Sequence, residues 1–141
     1  MLYNFAKFVE WPADSFGIDS RITFCLVGKS PLNDSMQPMQ GKLAKGRAVL
    51  IRQIAALDDV SACQVLFIPQ SEHVRLSAYL QQANMRSILT VSDIERFAAS
   101  GGMIGFYEED NTVRFEINLE AAQKQRLQIS SYLLKLARST R

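Results

Sequence analysis

Two short stretches of the chain carry apolar residues on both faces of a strand, and they constrain the fold more than any other feature. Residues 21–27 (RITFCLV) are apolar on both faces from Phe24 onward, and residues 64–68 (QVLFI) show no alternation of apolar with polar residues. A strand with one face in water alternates, whereas a strand of a parallel sheet is covered on both faces. The two stretches therefore predict central parallel strands.

Strands and helices alternate around this pair. We predict further strands at residues 47–51 and 87–91. A helix at residues 72–84, capped by Ser71, carries one apolar stripe at three- and four-residue spacing. Strands that alternate with helices require right-handed crossovers, which place helices on both faces of a largely parallel sheet. We therefore expect an α/β fold, a three-layer sandwich with a Rossmann-like, mostly parallel sheet.

Two connections are also predicted to be helical. Ser92 and Glu95 have the spacing of a capping box, and Gly101-Gly102 supplies the left-handed stop of the helix that it begins. Residues 57–62 are predicted to form one helical turn, capped by Asp58 or Asp59. Both predictions place a helical segment between neighbouring strands.

A C-terminal antiparallel hairpin is predicted to close the sheet. Residues 103–107 are a β-prone run, residues 108–112 form a polar turn, and residues 113–118 alternate apolar with polar side chains. The alternation assigns one set of side chains to the core and the other to the opposite face. The core set is Val113, Phe115 and Ile117, and the outer set is Arg114, Glu116 and Asn118.

Two helices are predicted after the hairpin. Asn118 is placed to cap a helix at residues 119–127, with Glu120 in the first turn, where the helix dipole favours a carboxylate. The apolar residues of the next run recur at three- and four-residue spacing, which predicts a face packed on the core. These residues are Ile129, Tyr132, Leu133 and Leu136.

The chain begins with a predicted helix that has no cap. Residues 2–11 (LYNFAKFVEW) have apolar residues at helical spacing, and Pro12 disfavours helix in the residue before it. No Ser, Thr, Asp or Asn precedes the helix. We therefore expect that upstream residues are missing from this chain, and a secretory signal would lie among them.

Length and charge exclude several classes of protein. With 141 residues, the chain is expected to form a single domain over residues 1–141. Sixteen basic and fourteen acidic residues give a net charge of +2, too small a surplus to indicate a nucleic-acid-binding protein. No apolar run approaches the roughly 18 residues that cross a bilayer.

No catalytic, cofactor-binding or metal-binding set is complete in the sequence. Gly28-Lys29-Ser30 is similar to the end of a phosphate-binding loop, but Thr23 stands where that pattern needs its first glycine. Pro31 follows where a helix should continue, so we interpret the segment as a strand-ending turn. His73 is the only histidine, which leaves no close pair of zinc ligands and no serine triad with a nucleophile elbow. The sequence predicts a protein that is not an enzyme.

Cys25 and Cys63 are the remaining reactive groups. Each lies in or just before a predicted apolar strand, and neighbouring strands can bring two sulfurs within bonding distance. The residues alone leave two alternatives open: a disulfide, or two buried reduced thiols that act as small apolar side chains. A disulfide would indicate an oxidising compartment.

Five segments of the chain stand out together. They are LYNFAKFVEWP at residues 2–12, FCLVG at 24–28, CQVLFI at 63–68, ILTVSD at 88–93 and GGMIGFYEEDNTVRFEINLEAAQKQRLQISSYLLKLAR at 101–138. In this order and spacing they resemble the YfiR family of small bacterial periplasmic proteins, and the resemblance covers nearly the whole chain. It implies a disulfide between Cys25 and Cys63. Some members carry a second cysteine pair near the hairpin, which this chain lacks because no cysteine follows Cys63.

The resemblance also implies a function, a compartment and partners. It implies an exported, periplasmic protein that acts as a dimeric repressor. Such a repressor binds the periplasmic sensor region of an inner-membrane diguanylate cyclase and keeps cyclic-di-GMP synthesis low, until an outer-membrane lipoprotein sequesters it. The mechanism is a population shift toward an inactive cyclase, which requires no chemistry from the repressor.

The partner-binding residues are predicted from the sequence and not from the family. The first helix carries more aromatic surface than one buried face can use, and aromatic residues are frequent at binding hot spots. The outer face of the second hairpin strand offers charged side chains. The candidates are Tyr3, Phe5, Phe8, Trp11, Arg114 and Glu116. The alternative, that all four aromatic residues are core, stays open.

A second function class also stays open. In this interpretation the chain is a periplasmic small-ligand sensor that feeds a histidine kinase or another membrane receptor. Its pocket would lie near residues 28–31 or the hairpin, because open α/β sheets bind ligands at the carboxyl ends of their strands.

Overall fold

The structure is a computed structural model that describes residues 2–141. Its helices are α1 (Leu2–Lys7), α2 (Pro31–Met36), α3 (Leu76–Ala83), α4 (Leu119–Lys124) and α5 (Ser131–Leu136), with 3-10 turns at Ala13–Ser15, Gln37–Met39 and Gln70–Arg75. Its strands are β1 (Val9–Glu10), β2 (Ile22–Val27), β3 (Leu43–Ala44), β4 (Arg47–Ile54), β5 (Val65–Ile68), β6 (Leu89–Ser92), β7 (Ile104–Glu109), β8 (Thr112–Ile117), β9 (Gln128–Ile129) and β10 (Ser139–Thr140).

Eight of these strands form one sheet in the order β10-β8-β7-β6-β5-β2-β4-β3. The five central strands, from β4 through β2, β5 and β6 to β7, are all parallel. β8 pairs antiparallel with β7 as the predicted hairpin, and β3 folds back antiparallel on β4. The predicted fold class is confirmed: a mixed α/β fold with a mostly parallel sheet, layers on both faces and a C-terminal antiparallel hairpin.

The two faces of the sheet are covered by separate apolar clusters, which explains why the central strands do not alternate. Along β2, Phe24 and Leu26 belong to the cluster beneath α1, α4 and α5. The alternate residues, Cys25 and Val27, belong to the cluster beneath α3. All six residues of β2 are buried. Successive side chains of a strand point to opposite faces, so each cluster takes every second residue.

The connection after β6 is not the predicted helix. Residues 93–101 form turns, because Arg96 has φ +64°, in the left-handed region that a helix excludes. Ser92 does not cap a helix: its hydroxyl donates to the Ile68 carbonyl at 2.5 Å and accepts from the Ile94 N–H at 2.9 Å. The Phe97 ring packs so closely on Gly102 that a Cβ has no room there. The capping-box prediction was therefore wrong.

Two other helix predictions need correction. Residues 57–62 form turns, with Leu57 at φ +62°, so the β4 to β5 crossover contains no helix. The predicted helix at residues 72–84 begins as a 3-10 turn after Pro69, becomes α-helical only at Leu76, and is not capped by Ser71. Its predicted apolar stripe does pack on the second cluster. The stripe consists of Leu76, Tyr79, Leu80 and Ala83.

The first helix is shorter than predicted. α1 ends at Lys7, and the chain then extends as β1 to pair with β9. The Ser130 N–H donates to the Phe8 carbonyl at 2.8 Å, so a tertiary pairing replaces the last helical turn. The predicted absence of a cap concerns Met1, which lies outside the described residues.

The hairpin and the cap of the following helix are present as predicted, with three differences. The turn is only two residues long and not 108–112, α4 ends at Lys124 and not at residue 127, and Val113 is exposed. Asp110 and Asn111 both have positive φ, as a two-residue type I′ turn requires. The Asn118 side chain accepts from the Ala121 N–H at 2.9 Å, so it caps α4 as predicted. Val113 was predicted to face the core but is 45 % exposed, because burial increases along β8 and is complete only at Ile117.

Cys25 and Cys63 form the disulfide that the family resemblance implied, with their Cα atoms 5.9 Å apart. Cys25 lies in the centre of β2, and Cys63 ends the turn-only crossover between β4 and β5. Both are buried in the cluster beneath α3. Two crossovers of the parallel core, β4 to β5 and β6 to β7, contain turns and no helix. The disulfide ties the first of them to β2.

We predict that Cys25→Ala/Cys63→Ala loses about 4 kcal/mol of unfolding free energy, the value that the chain-entropy model gives for this loop. The sequence separation of 38 residues sets that value. Urea denaturation followed by circular dichroism measures it. Wild-type protein treated with a thiol reductant under partly denaturing conditions is the control and should approach the variant. Equal urea midpoints for oxidised wild type and variant would contradict the prediction.

Tyr79 connects three segments of the layer beneath the disulfide. Its hydroxyl donates to Glu72 Oε1 at 2.6 Å and accepts from the Leu57 N–H at 3.2 Å. The side chain is fully buried. Burial, and then the hydrogen bond to Glu72, raises the pKa of Tyr79 to about 12.

This pKa predicts a loss of stability at high pH. The folded pKa lies above that of an unfolded tyrosine, about 10, so the stabilisation is complete below pH ~10 and is lost as the pH rises toward ~12. Tyr79→Phe should be less stable at neutral pH by about 1–2 kcal/mol, because Glu72 and Leu57 lose a partner. It should lose less stability than wild type over that alkaline range. Urea midpoints at several pH values test this, and parallel profiles for the two proteins would contradict it.

Candidate interaction surface

Two of the predicted partner-binding aromatics lie in the core. Phe5 is 4 % exposed and its ring lies 5.1 Å from that of Phe115, edge to face. Trp11 is 8 % exposed and donates from Nε1 to the Gln64 carbonyl at 3.1 Å. Both side chains are used in packing α1 and β1 onto the sheet, so they offer little surface to another protein.

The other two aromatics, Tyr3 and Phe8, are partly exposed. The Tyr3 hydroxyl donates to the Leu43 carbonyl, and the Lys7 ammonium lies 5.3 Å from the centre of its ring. The Phe8 ring lies 5.0 Å from the Tyr132 ring of α5. Phe8 therefore extends the surface of α5 and is the predicted aromatic that best fits an interaction site.

The structure places on the candidate interaction surface two apolar residues that were predicted to face the core. Tyr132 and Leu136 are each 55 % exposed, and they share one face of α5 because they are four residues apart. Leu133 is the buried residue of this helix, with Leu134 and Ala137 packed beside it. Of the four residues in the predicted stripe, Ile129 and Leu133 are buried, whereas Tyr132 and Leu136 are not. Ile129 lies in β9 and not in a helix. The sequence YLLKLA places an apolar residue on every side of the helix, so spacing alone cannot identify the outer face.

We call Phe8, Tyr132 and Leu136 the apolar ridge. Its backbone is held in place: the Ser130 hydroxyl accepts from the Tyr132 N–H at 3.1 Å and caps α5. The Ser130 N–H bond to the Phe8 carbonyl joins α5 to the end of α1. The ridge is thus a fixed feature at the junction of α1, β9 and α5.

The two charged candidates on the hairpin are engaged within the chain. Arg114 Nε lies 3.8 Å from Glu109 Oε1, which Arg138 also approaches at 3.4 Å. Glu116 accepts from the Ser139 hydroxyl at 2.8 Å. These contacts connect the hairpin to the C-terminal strand β10. Arg114 and Glu116 remain partly exposed, so their role in partner binding stays a prediction.

The groups considered for catalysis are dispersed in the described part of the chain. Gly28 has φ +63°, and its carbonyl accepts from Asn33 Nδ2 and Gln53 Nε2, as in a strand-ending turn. His73 is exposed beside the Gln70 carbonyl. Within residues 2–141, no three His, Cys, Asp or Glu side chains are grouped as metal ligands. Over the same residues, no helix has both the length and the apolar character that crossing a membrane demands.

A cleft of about 700 Å³ lies beside the turn-only crossover. Its lining includes residues 14–19, Thr23 and Leu50. Hydrogen bonds from Arg21 lower the pKa of Asp19 at its rim. The cleft does not include residues 28–31 or the hairpin. The small-ligand interpretation at those two places therefore stays a prediction.

Truncation of core and ridge aromatics should separate stability from binding. We predict that Phe5→Ala and Trp11→Ala each lower the unfolding free energy by about 3–5 kcal/mol, because each leaves a cavity. Tyr132→Ala should lower it by less than about 1 kcal/mol, because that side chain is mostly in water. Urea denaturation of the three variants measures the difference. A Tyr132→Ala loss as large as that of Trp11→Ala would show that the ridge is a packing element.

The comparisons with known proteins agree with the predicted family. The chain matches the family model described as YfiR/HmsC-like over residues 1–138, nearly its whole length. A search of curated proteins gives no match. The family is regulatory and non-catalytic, and it implies a periplasmic regulator of diguanylate cyclase. The chain therefore belongs to the YfiR/HmsC-like family.

Proposed function

We propose that this protein is a periplasmic repressor that binds the sensor region of an inner-membrane diguanylate cyclase and lowers cyclic-di-GMP synthesis. The observation that carries the proposal is the family match over residues 1–138. The buried Cys25–Cys63 disulfide supports the compartment, because such bonds persist where the environment is oxidising. The protein itself catalyses no reaction in this proposal.

Repression by contact has a defined energetic requirement. A ligand shifts a two-state protein only through its difference in affinity for the two states. Moving a cyclase from 99 % active to 99 % inactive requires about 5.5 kcal/mol of such a difference. Three hot-spot side chains that each favour the inactive state by about 2 kcal/mol can supply it. A protein surface is therefore sufficient for this function.

The partners complete the proposal. We propose a homodimer as the binding form and an outer-membrane lipoprotein that removes the repressor from the cyclase. By mass action, a lipoprotein that competes for the repressor raises cyclase output because it lowers the free repressor concentration and so the repressed fraction of the cyclase. The proposal includes no nucleic acid, cofactor or metal.

We predict that deleting the gene raises cellular cyclic-di-GMP and that the exported protein restores the low level. The tested cyclase is an inner-membrane diguanylate cyclase of the same cell that has a periplasmic sensor region. The same cyclase without its periplasmic region is the matched control and should give the same output with and without the repressor. A nucleotide measurement by mass spectrometry provides the readout. Repression of the truncated cyclase, or no repression of the intact one, would overturn the proposed function.

A further inference from the structure

The apolar ridge has no partner within the chain for much of its surface. Tyr132 and Leu136 each leave more than half of their surface in water, although α5 buries Leu133 beside them. Tyrosine is enriched at binding hot spots, and an exposed apolar patch that adjoins it adds buried area to a contact. Tyr132 supplies a large contact area at a low cost in conformational entropy, since Phe8 already orders its ring.

The charges around the ridge are mostly positive. Lys135 follows Tyr132 by three residues and so lies on the same side of α5, and Lys7 precedes Phe8. Neither lysine forms an ion pair with any residue of the described chain 2–141. α1 and α5 contain no acidic residue. The nearest acid in sequence, Glu10, is paired with Lys45.

We propose that the apolar ridge is the surface that contacts the membrane protein, and that its target is an apolar patch bordered by carboxylates on the periplasmic sensor region. This inference rests on the proposed function and assigns that contact to three residues, Phe8, Tyr132 and Leu136. The lysines steer the encounter, and the apolar side chains supply most of the affinity.

The same charges disfavour other occupants of the ridge. A two-fold contact between copies of this chain would bring lysines 7 and 135 of one copy against those of the other, and like charges across an interface are unfavourable. An anionic membrane surface would gain little from two lysines in a protein of net charge +2. An acidic protein surface satisfies both the apolar side chains and the cations.

The experiment uses surface plasmon resonance to measure binding of the full chain to the purified periplasmic region of the cyclase that the deletion experiment identifies. We expect Tyr132→Ala/Leu136→Ala to weaken binding more than tenfold, mainly through faster dissociation. Lys7→Glu/Lys135→Glu should slow association severalfold and reduce its dependence on salt. The matched controls are Val74→Ala, a residue 74 % exposed on another part of the surface, and Lys29→Glu, and both should bind like wild type.

The other outcomes separate the ridge assignment from the proposed function. If wild type binds and the Tyr132→Ala/Leu136→Ala variant binds equally well, the ridge assignment is wrong and the proposed function stands. If wild type does not bind the sensor region, the proposed function fails as well. If the double variant abolishes self-association in sedimentation, or binding to phosphatidylglycerol vesicles, while sensor binding is unchanged, the ridge has a different occupant. Far-ultraviolet circular dichroism of every variant confirms that it is folded.

Discussion

Burial of β2 on both of its faces is the constraint on which the rest of the structure depends. β2 lies between β4 and β5, and its side chains alternate between the two apolar clusters. Both flanking strands are parallel to it, and a strand buried on both faces needs a covering layer on each side. In the layer that contains α3, the β4 to β5 crossover contributes only turns. The Cys25–Cys63 bond fastens that crossover directly to β2.

This arrangement exchanges a packed helix for a covalent bond. A crossover helix would cover the sheet with apolar side chains over its whole length. The turns at residues 55–62 cover less of the sheet, and Leu50 and Thr23 line the cleft beside them. The disulfide stabilises the fold by lowering the conformational entropy of the unfolded chain. The crossover therefore stays on the sheet although it buries little surface. Tyr79 adds the polar tie, because its hydroxyl accepts from the Leu57 N–H.

The features that could be predicted from sequence are set either by contacts within a few residues or by burial of a strand on both faces. The central strands β2 and β5 lack alternation because both of their faces are buried. Asn118 caps α4 through a hydrogen bond to Ala121, only three residues further along the chain. Tertiary contacts decided the features that were missed. Arg96 adopts a left-handed conformation within a predicted helix, and Ser92 bonds to Ile68 on the neighbouring strand instead of capping it. The pairing of β1 with β9 shortened α1, and no local pattern marks such a pairing.

The exposed face of α5 is also decided by tertiary contacts and not by a local pattern. It is the part of the fold that we propose binds the partner. A six-residue helix is too short to be stable alone, so its orientation is set by Leu133 in the core and by Ser130, which both caps it and bonds to Phe8. These anchors leave Tyr132 and Leu136 on the outside at fixed positions. A binding surface that is ordered before contact loses less entropy on association than a flexible one. Folding has already ordered α5, so binding does not have to supply that entropy. More of the contact energy is then available to favour one state of the partner over the other.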